Sequence, residues 1–174
     1  LPMLASSIAL VTAVPALAQE VPAEAPTEGE IVVTAQFVEQ RPIEVPFALT
    51  AYDDRFLERL NIQEFDALSR YVPGFEVQNQ SPNNPGFVMR GITSDSGSAF
   101  NEPRVSVFQD GVSISKSRGS YAELFDMERI EVAKGPQSTL YGRGALIGAV
   151  HLIQAQPDPT PASGMLRLSG GAHA

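Results

Sequence analysis

The chain has 174 residues, of which 43% are hydrophobic, which is enough for one packed domain with tails. The formal net charge of −8 argues against a nucleic-acid partner, because binding to phosphates needs a surplus of lysine and arginine. The absence of cysteine excludes disulfides, thiolate metal sites and cysteine nucleophiles.

The N-terminus carries the pattern of a secretory signal peptide over residues 1–18, with a truncated n-region. Residues 4–14 form an apolar run, and Ala16 and Ala18 fit a small-residue cleavage site before Gln19. The run is too short to span a bilayer as a helix, and a short buried helix is the alternative interpretation. The pattern favours export.

Residues 19–36 form the next unit, a flexible tether with a short strand near its end. Its first part combines Pro22, Pro26 and Gly29 with glutamates and little apolar content, which is typical of an unfolded linker. Residues 30–35, Glu-Ile-Val-Val-Thr-Ala, then concentrate β-branched residues and predict an isolated extended strand. Such a strand can pair with the edge of a partner sheet, or it can be the first strand of the domain's own sheet.

Residues 37–157 have the pattern of one compact α+β domain. Its first half predicts a strand at 48–52, a helix at 54–60, and a second helix that is capped by Asn61 and buries Phe65, Leu68 and Tyr71. Strands at 75–80 and 87–89 follow, separated by a polar loop.

The second half of this domain adds a hairpin and two more strands. Strands at 105–108 and 112–114 flank Asp110-Gly111, a dipeptide suited to a type I′ turn. A capping box from Ser120 to Glu123 predicts a short helix that buries Leu124 and Phe125. Alternating residues around 130–132 and 150–152 predict the last two strands.

Residues 158–174 predict a linker followed by the first strand of a membrane barrel. Leu166 and Leu168 alternate with Arg167, as in a strand with lipid on one side and water on the other. A large plugged barrel needs about 22 strands, so the remainder of the barrel is predicted to be absent from the chain.

The order of these motifs, and above all residues 128–154, is similar to the TonB-dependent outer-membrane receptor family. That stretch begins Glu-Arg-Ile-Glu-Val-Ala-Lys-Gly-Pro and continues through Leu-Tyr-Gly-Arg-Gly. The resemblance implies an α+β plug-type domain, with a small mixed sheet of four to five strands, short helices and loops. It also implies that this plug lies inside an outer-membrane barrel, with the N-terminal tether in the periplasm.

The resemblance implies two sets of contact residues. The first is the TonB box, the segment that the energy-transducing protein TonB grips, and it matches Glu30, Ile31, Val32, Val33, Thr34 and Ala35. The second is a charge lock that seats the plug against the barrel wall and within its own core. It comprises Arg90, Glu128, Arg129, Glu131 and Arg143, for which ordinary surface ion pairs are the alternative interpretation.

By the same resemblance, two polar loops at residues 78–86 and 93–104 face the extracellular vestibule and contact cargo, with connectors that touch nothing as the alternative. The candidate contacts are Gln78, Asn79, Gln80, Asn83, Asn84, Ser94, Asp95 and Asn101. The family commonly has asparagine where this chain has His151. We interpret His151 as a structural residue rather than a metal ligand, because the only other histidine is His173.

The resemblance implies a gate for energised uptake of a scarce nutrient, most of all an iron-siderophore complex. Cargo would make the 31–35 strand available to TonB, and force would then shift the plug. A soluble periplasmic module that binds ligand or TonB without transport is the alternative. The sequence predicts no cofactor, no metal site and no enzyme, because it lacks a nucleophile motif, a metal-ligand cluster and paired carboxylates.

Overall fold

The computed structural model describes residues 31–81, 84–93, 103–114 and 123–157. The predicted signal peptide, most of the tether and the predicted barrel strand lie outside these residues. The described part contains two sheets and a few short helices, which confirms the predicted α+β class. In this part of the chain, no helix is long and apolar enough to cross a bilayer.

The larger sheet has five strands, which in spatial order are β1 (Ala48–Asp53), β7 (Met127–Lys134), β8 (Gly148–Gln154), β5 (Val105–Gln109) and β6 (Val112–Ile114). Only β5 and β8 pair in parallel, so the sheet is mixed, as predicted. The central strands β7 and β8 are buried on both faces, because helices cover one face and the N-terminal segment covers part of the other.

The β5–β6 hairpin turns at Asp110-Gly111 as predicted. Both residues have positive φ angles, 48° and 80°, which a type I′ turn requires.

A smaller antiparallel sheet of three strands was not predicted. It consists of β2 (Phe75–Ser81), β3 (Asn84–Met89) and β4 (Ile92–Thr93). The polar loop predicted between the first two strands is therefore mostly strand, and Gln78 pairs with Gly86. Main-chain hydrogen bonds hold the outer part of this hairpin together. Its residues there are mostly polar and show no alternation of apolar and polar side chains, so the sequence did not predict it.

Three short helices and a 3₁₀ turn at Pro42–Glu44 complete the described fold. The α1 helix (Asp54–Arg59) is capped by the Asp53 carboxylate, which accepts a hydrogen bond from the Phe56 N–H at 2.9 Å. The others are α2 (Phe65–Ser69) and α3 (Ser138–Tyr141), and α3 was not predicted inside the glycine-rich loop.

Three local predictions were wrong. Asn61 does not cap α2; it lies in the turn after α1 with a φ of 51°, and Glu64 holds the cap position. Tyr71 is 41% exposed, because its ring packs edge-on against Phe56 at the surface. Phe125 is 79% exposed, and residues 123–126 are not helical.

The core lies between the larger sheet, the smaller sheet and helices α1 and α2. Gly148 sets how closely β8 approaches its neighbours, because a Cβ there would lie 2.0 Å from the Met89 Sδ and 2.6 Å from the Ala133 carbonyl oxygen. The largest fully buried side chains of this cluster are Phe65, Phe87, Leu68, Met89, Ile130 and Leu152.

A second cluster covers the opposite face of the larger sheet. It contains Phe108, Ala133, Tyr141, Ala145 and Ala149, with Phe47 and Leu49 packed against it. Burial on this face also includes polar side chains, Glu131 and His151 among them.

Candidate functional site

Residues 31–40, here called the docked segment, pack close to this second face. The side chain of Val33 is 0% exposed, and Ala35 is also buried. Val33 and Gln40 exchange two main-chain hydrogen bonds, of 2.9 and 3.0 Å, as an isolated bridge. Within the described residues the segment is therefore folded back on itself and is not a strand of either sheet. Glu30, the first residue of the predicted TonB box, lies outside the described residues.

Thr34 connects the docked segment to β7 through a buried carboxylate. Its main-chain N–H donates to the Glu131 Oε1 at 2.8 Å, and its hydroxyl lies 3.4 Å from the same oxygen. The Arg129 guanidinium donates to the Glu131 Oε1 at 2.9 Å and to the Thr34 hydroxyl at 3.1 Å. We call Thr34, Arg129 and Glu131 the anchor cluster.

Arg129 and Glu131 can both reach the segment because residues two apart on a strand point to the same face. Glu131 is fully buried, whereas the Arg129 side chain is 14% exposed and also pairs with the half-exposed Glu128 carboxylate. The anchor cluster therefore places a charged pair at the boundary between the sheet and the docked segment. Two separate predictions, the TonB box and part of the charge lock, meet at this one place.

Beside the anchor cluster lies a buried polar trio, formed by Glu131, Tyr141 and His151. In the described part of the chain, the Glu131 Oε2, the Tyr141 hydroxyl and the His151 Nε2 are buried without a hydrogen-bond partner. The His151 ring stacks on Phe108 with centroids 4.8 Å apart and lies 4.6 Å from the Tyr141 ring. The two rings of the trio thus pack against each other and against Phe108.

Burial controls the charge of this trio. It raises the pKa of Tyr141 to about 12, with a further contribution from the negative charge of Glu131. It lowers the pKa of His151 to about 4. Both side chains are neutral at neutral pH, so the trio carries only the charge of Glu131, which Arg129 balances.

The docked segment also closes over the trio. The Phe37 ring lies 5.4 Å from the Tyr141 ring, and Phe37 has a φ of 61°, a left-handed conformation unusual for a bulky residue. The segment therefore contacts two members of the trio, Glu131 through Thr34 and Tyr141 through Phe37.

The predicted charge lock is not one cluster. Glu128, Arg129 and Glu131 lie together, but Arg90 lies beside Lys134, where a Cβ on Gly135 would be 3.3 Å from the Arg90 guanidinium. Burial, and then the charge of Arg90, lower the pKa of Lys134. Arg143 is exposed in the turn after α3.

Lys134 is a residue that the sequence analysis missed. Its Nζ donates to the Thr50 hydroxyl at 2.9 Å and to the Pro73 carbonyl oxygen at 3.3 Å. The available signal was its place in the Lys-Gly-Pro motif, directly before the glycine that Arg90 covers. Arg90 and Lys134 together form a positively charged pair.

The predicted cargo contacts are only partly described. Gln78, Asn79 and Gln80 lie in β2 and Asn84 lies in β3, so these positions belong to a hairpin rather than to a loop. Asn83, Ser94, Asp95 and Asn101 lie outside the described residues. Contact with cargo remains a prediction for all eight.

An acidic groove of about 750 Å³ lies between α1, the start of α2 and the start of β7. Within the described ranges, its lining includes six carboxylate residues and no lysine or arginine. These are Asp54, Glu58, Glu64, Glu123, Asp126 and Glu128. Among the residues that the structure describes, no group of three histidine or acidic side chains is placed to hold a metal ion.

Residues 41–149 match the family model described as the TonB-dependent Receptor Plug Domain. The chain is 34% identical to the pesticin receptor of Yersinia pestis over 97 residues, which are 55% of this chain and 14% of that protein. It is 28% identical to the vitamin B12 transporter BtuB of Vibrio vulnificus over 157 residues, covering 87% of this chain and 24% of that protein. The chain thus spans less than a quarter of the length of either relative.

Two solved structures show the same fold. The ferric yersiniabactin uptake receptor FyuA from Yersinia pestis matches with a TM-score of 0.57 and 30% identity, covering 66% of this chain and 18% of that one. The ferripyoverdine receptor of the outer membrane of Pseudomonas aeruginosa matches with a TM-score of 0.60 and 19% identity, covering 73% and 16%.

Proposed function

Because the chain belongs to the TonB-dependent receptor plug domain family, an outer-membrane family, we propose that it gates a receptor for a scarce nutrient. In this proposal residues 30–35 are the segment that TonB grips, and a surrounding barrel completes the receptor. Docking of Thr34 on Glu131 carries the proposal, because it connects the gripped segment directly to the central strand of the gate.

An iron-siderophore complex is the proposed cargo. Among the similar proteins, one is named ferric yersiniabactin uptake receptor and another ferric aerobactin receptor. The vitamin B12 transporter among the relatives supports the broader proposal, uptake of a large scarce nutrient of whatever kind. Uptake of a scarce nutrient is therefore the general proposal, and uptake of an iron-siderophore complex is its more specific form.

The docked segment cannot pair with a partner strand as it stands. Strand addition uses main-chain N–H and C=O groups, and those of Val33 are already bonded to Gln40. The N–H of Thr34 is bonded to Glu131, and its C=O accepts from the Phe37 N–H at 2.8 Å. TonB would therefore bind only after the segment has left the sheet face.

The proposed sequence of events follows from this competition. Cargo binding loosens the anchor cluster, the segment extends, and TonB pairs with it. Four or five main-chain bonds at about 0.5–1.5 kcal/mol each, less the cost of ordering the segment, give a weak and reversible grip. Force on the segment then reaches β7 and the rest of the gate.

Arg90 and Lys134 are proposed to hold the gate in its barrel by pairing with carboxylates of the wall. Two adjacent cations repel each other, so acidic partners would stabilise both. Arg143, Glu128 and the anchor cluster complete the proposed lock, in which the fully buried Glu131 acts within the core of the plug rather than on the wall.

Crosslinking tests the gripped segment. With Val33→Cys in the complete receptor, we expect a disulfide to a cysteine in the strand-pairing region of TonB, and more of it when a ferric siderophore is present. Val38→Cys is the matched control, since Val38 is 58% exposed and lies beyond the box. Equal crosslinking at both positions, or none at Val33 in a receptor that binds its cargo, would contradict the assignment.

A further inference from the structure

His151 lies beside two residues that the docked segment contacts, Glu131 and Tyr141. Its Cα pairs with that of Glu131 on β7 and with that of Phe108 on β5. The titratable groups that face it are Glu131 from β7 and Tyr141 from α3, whereas β5 presents the Phe108 ring. The docked segment contacts both titratable neighbours. The Thr34 N–H donates to Glu131, and the Phe37 ring packs against the Tyr141 ring.

With the segment docked, a proton on His151 is strongly disfavoured. The His151 Nε2 is buried and has no partner among the described residues, so a positive charge there would be poorly solvated. The Glu131 carboxylate on the neighbouring strand is already paired with the Arg129 guanidinium, so its charge is largely balanced. Burial accordingly lowers the pKa of His151 to about 4.

Departure of the segment reverses these conditions. Glu131 loses the donors of Thr34, and Tyr141 loses the Phe37 ring that covers it. Water can then reach the polar trio and solvate a charged imidazole. Solvation favours the imidazolium, so the released state binds a proton more tightly than the docked state.

We propose that His151 makes release of the docked segment proton-linked, so that acid favours the released state. The proposal rests on the proposed function only in regarding this segment as the part that TonB grips. Release itself is an intramolecular change and can be measured without TonB.

The sign and size of the pH effect follow from the linkage between protonation of His151 and release of the segment. A histidine whose pKa is about 4 when docked and returns to the ordinary 6.5 when released takes up a proton on release. Between about pH 7.5 and about pH 5.5, the ratio of released to docked chains would then rise by up to about tenfold. A partial return of the pKa gives a smaller rise.

Thiol labelling measures release, because the chain contains no cysteine of its own and Val33 is fully buried when docked. The labelling rate of Val33→Cys in the full chain is divided by the labelling rate of the exposed Val38→Cys. This ratio removes the pH dependence of the reaction between the thiol and the reagent. We expect this ratio to rise in acid, by up to about tenfold across that pH range. In a His151→Asn background the ratio should stay flat.

Three results would overturn the proposal: a flat ratio in the parent chain, an equal rise in the His151→Asn background, or parallel acceleration of amide exchange throughout β7 and β8. The last would show acid unfolding of the whole sheet instead of local release. Failure of TonB crosslinking alongside a normal acid response would contradict the proposed function and leave the proton linkage standing.

A direct titration keeps the test valid if His151→Asn folds poorly. NMR can follow the imidazole signals of His151, since His173 is the only other histidine. Thr34→Pro removes the N–H that Glu131 accepts and should release the segment. We expect a depressed pKa for His151 in the parent chain and a pKa closer to 6.5 in Thr34→Pro, and equal values would overturn the proposal.

Discussion

Glu131 is the residue on which the docked segment depends most. Changing Glu131→Gln keeps an acceptor for Thr34 but removes the charge that Arg129 pairs with, and a hydrogen bond to a charged group contributes about 1.5–3 kcal/mol. We expect Glu131→Gln to lower the free energy of unfolding by about that amount and to speed labelling at Val33→Cys. Urea unfolding and the labelling rate measure the two effects.

Glu128→Gln is the matched control. Its carboxylate also pairs with Arg129, but it is half exposed and does not contact Thr34 in the structure. An exposed pair of this kind contributes less than about 1 kcal/mol. Equal losses of stability from the two substitutions would show that pairing with Arg129, and not the contact between Glu131 and Thr34, accounts for the effect.

At the residue scale, the sequence indicated the right residues but not their partners. Residues 30–35 and Glu131 were each singled out, yet 97 positions separate Thr34 from Glu131. Their contact depends on how the segment folds back over β7, which no local pattern encodes. Lys134, Tyr141 and the grouping of Tyr141 with Glu131 and His151 were missed for the same reason, because their significance comes from neighbours on other elements.

Among the elements, β8 is the strand whose position depends most on a single glycine. Gly148→Ala would place a Cβ 2.6 Å from the Ala133 carbonyl oxygen of β7, and a backbone atom cannot rotate away. Overpacking of this kind costs about 1–3 kcal/mol. We expect a lower urea midpoint for Gly148→Ala, together with faster amide exchange along β7 and β8.

Gly144→Ala provides the comparison for this prediction. Its Cβ would lie 2.7 Å from the Ser106 Oγ, which can move by rotating its side chain. A smaller loss is expected there. If Gly148→Ala is as stable as the parent chain, β8 does not approach β7 and Met89 as closely as the structure indicates.

The elements that the sequence predicted well are those with alternation or a distinctive turn. Strand β1 and the β5–β6 hairpin lie close to their predicted bounds, and β7 and β8 contain the residues predicted for the last two strands but extend beyond them. The β2–β3 hairpin extended beyond its prediction because backbone pairing, not apolar alternation, defines its outer half. Helix α3 has only four residues, too few to show a helical period.

At the scale of the whole molecule, the neighbouring cations Arg90 and Lys134 indicate which contacts the proposed barrel would supply. Both are cations, Arg90 is exposed, and its charge helps to lower the pKa of Lys134. Arg90→Gln removes this repulsion, so we expect the 174-residue chain alone to gain up to about 1 kcal/mol in its free energy of unfolding at low salt. Urea midpoints at low and high salt measure the gain, which should shrink as salt screens the charges.

In the complete receptor, the same substitution should act in the opposite direction. There the proposed wall carboxylates would attract both cations, so Arg90→Gln removes a favourable pair instead of a repulsive one. We therefore expect the plug to become more sensitive to protease and urea inside the barrel, although the isolated chain becomes more stable. A loss of stability in both settings would show that Arg90 supports the plug itself, through its position over Gly135, and would contradict its assignment to the lock.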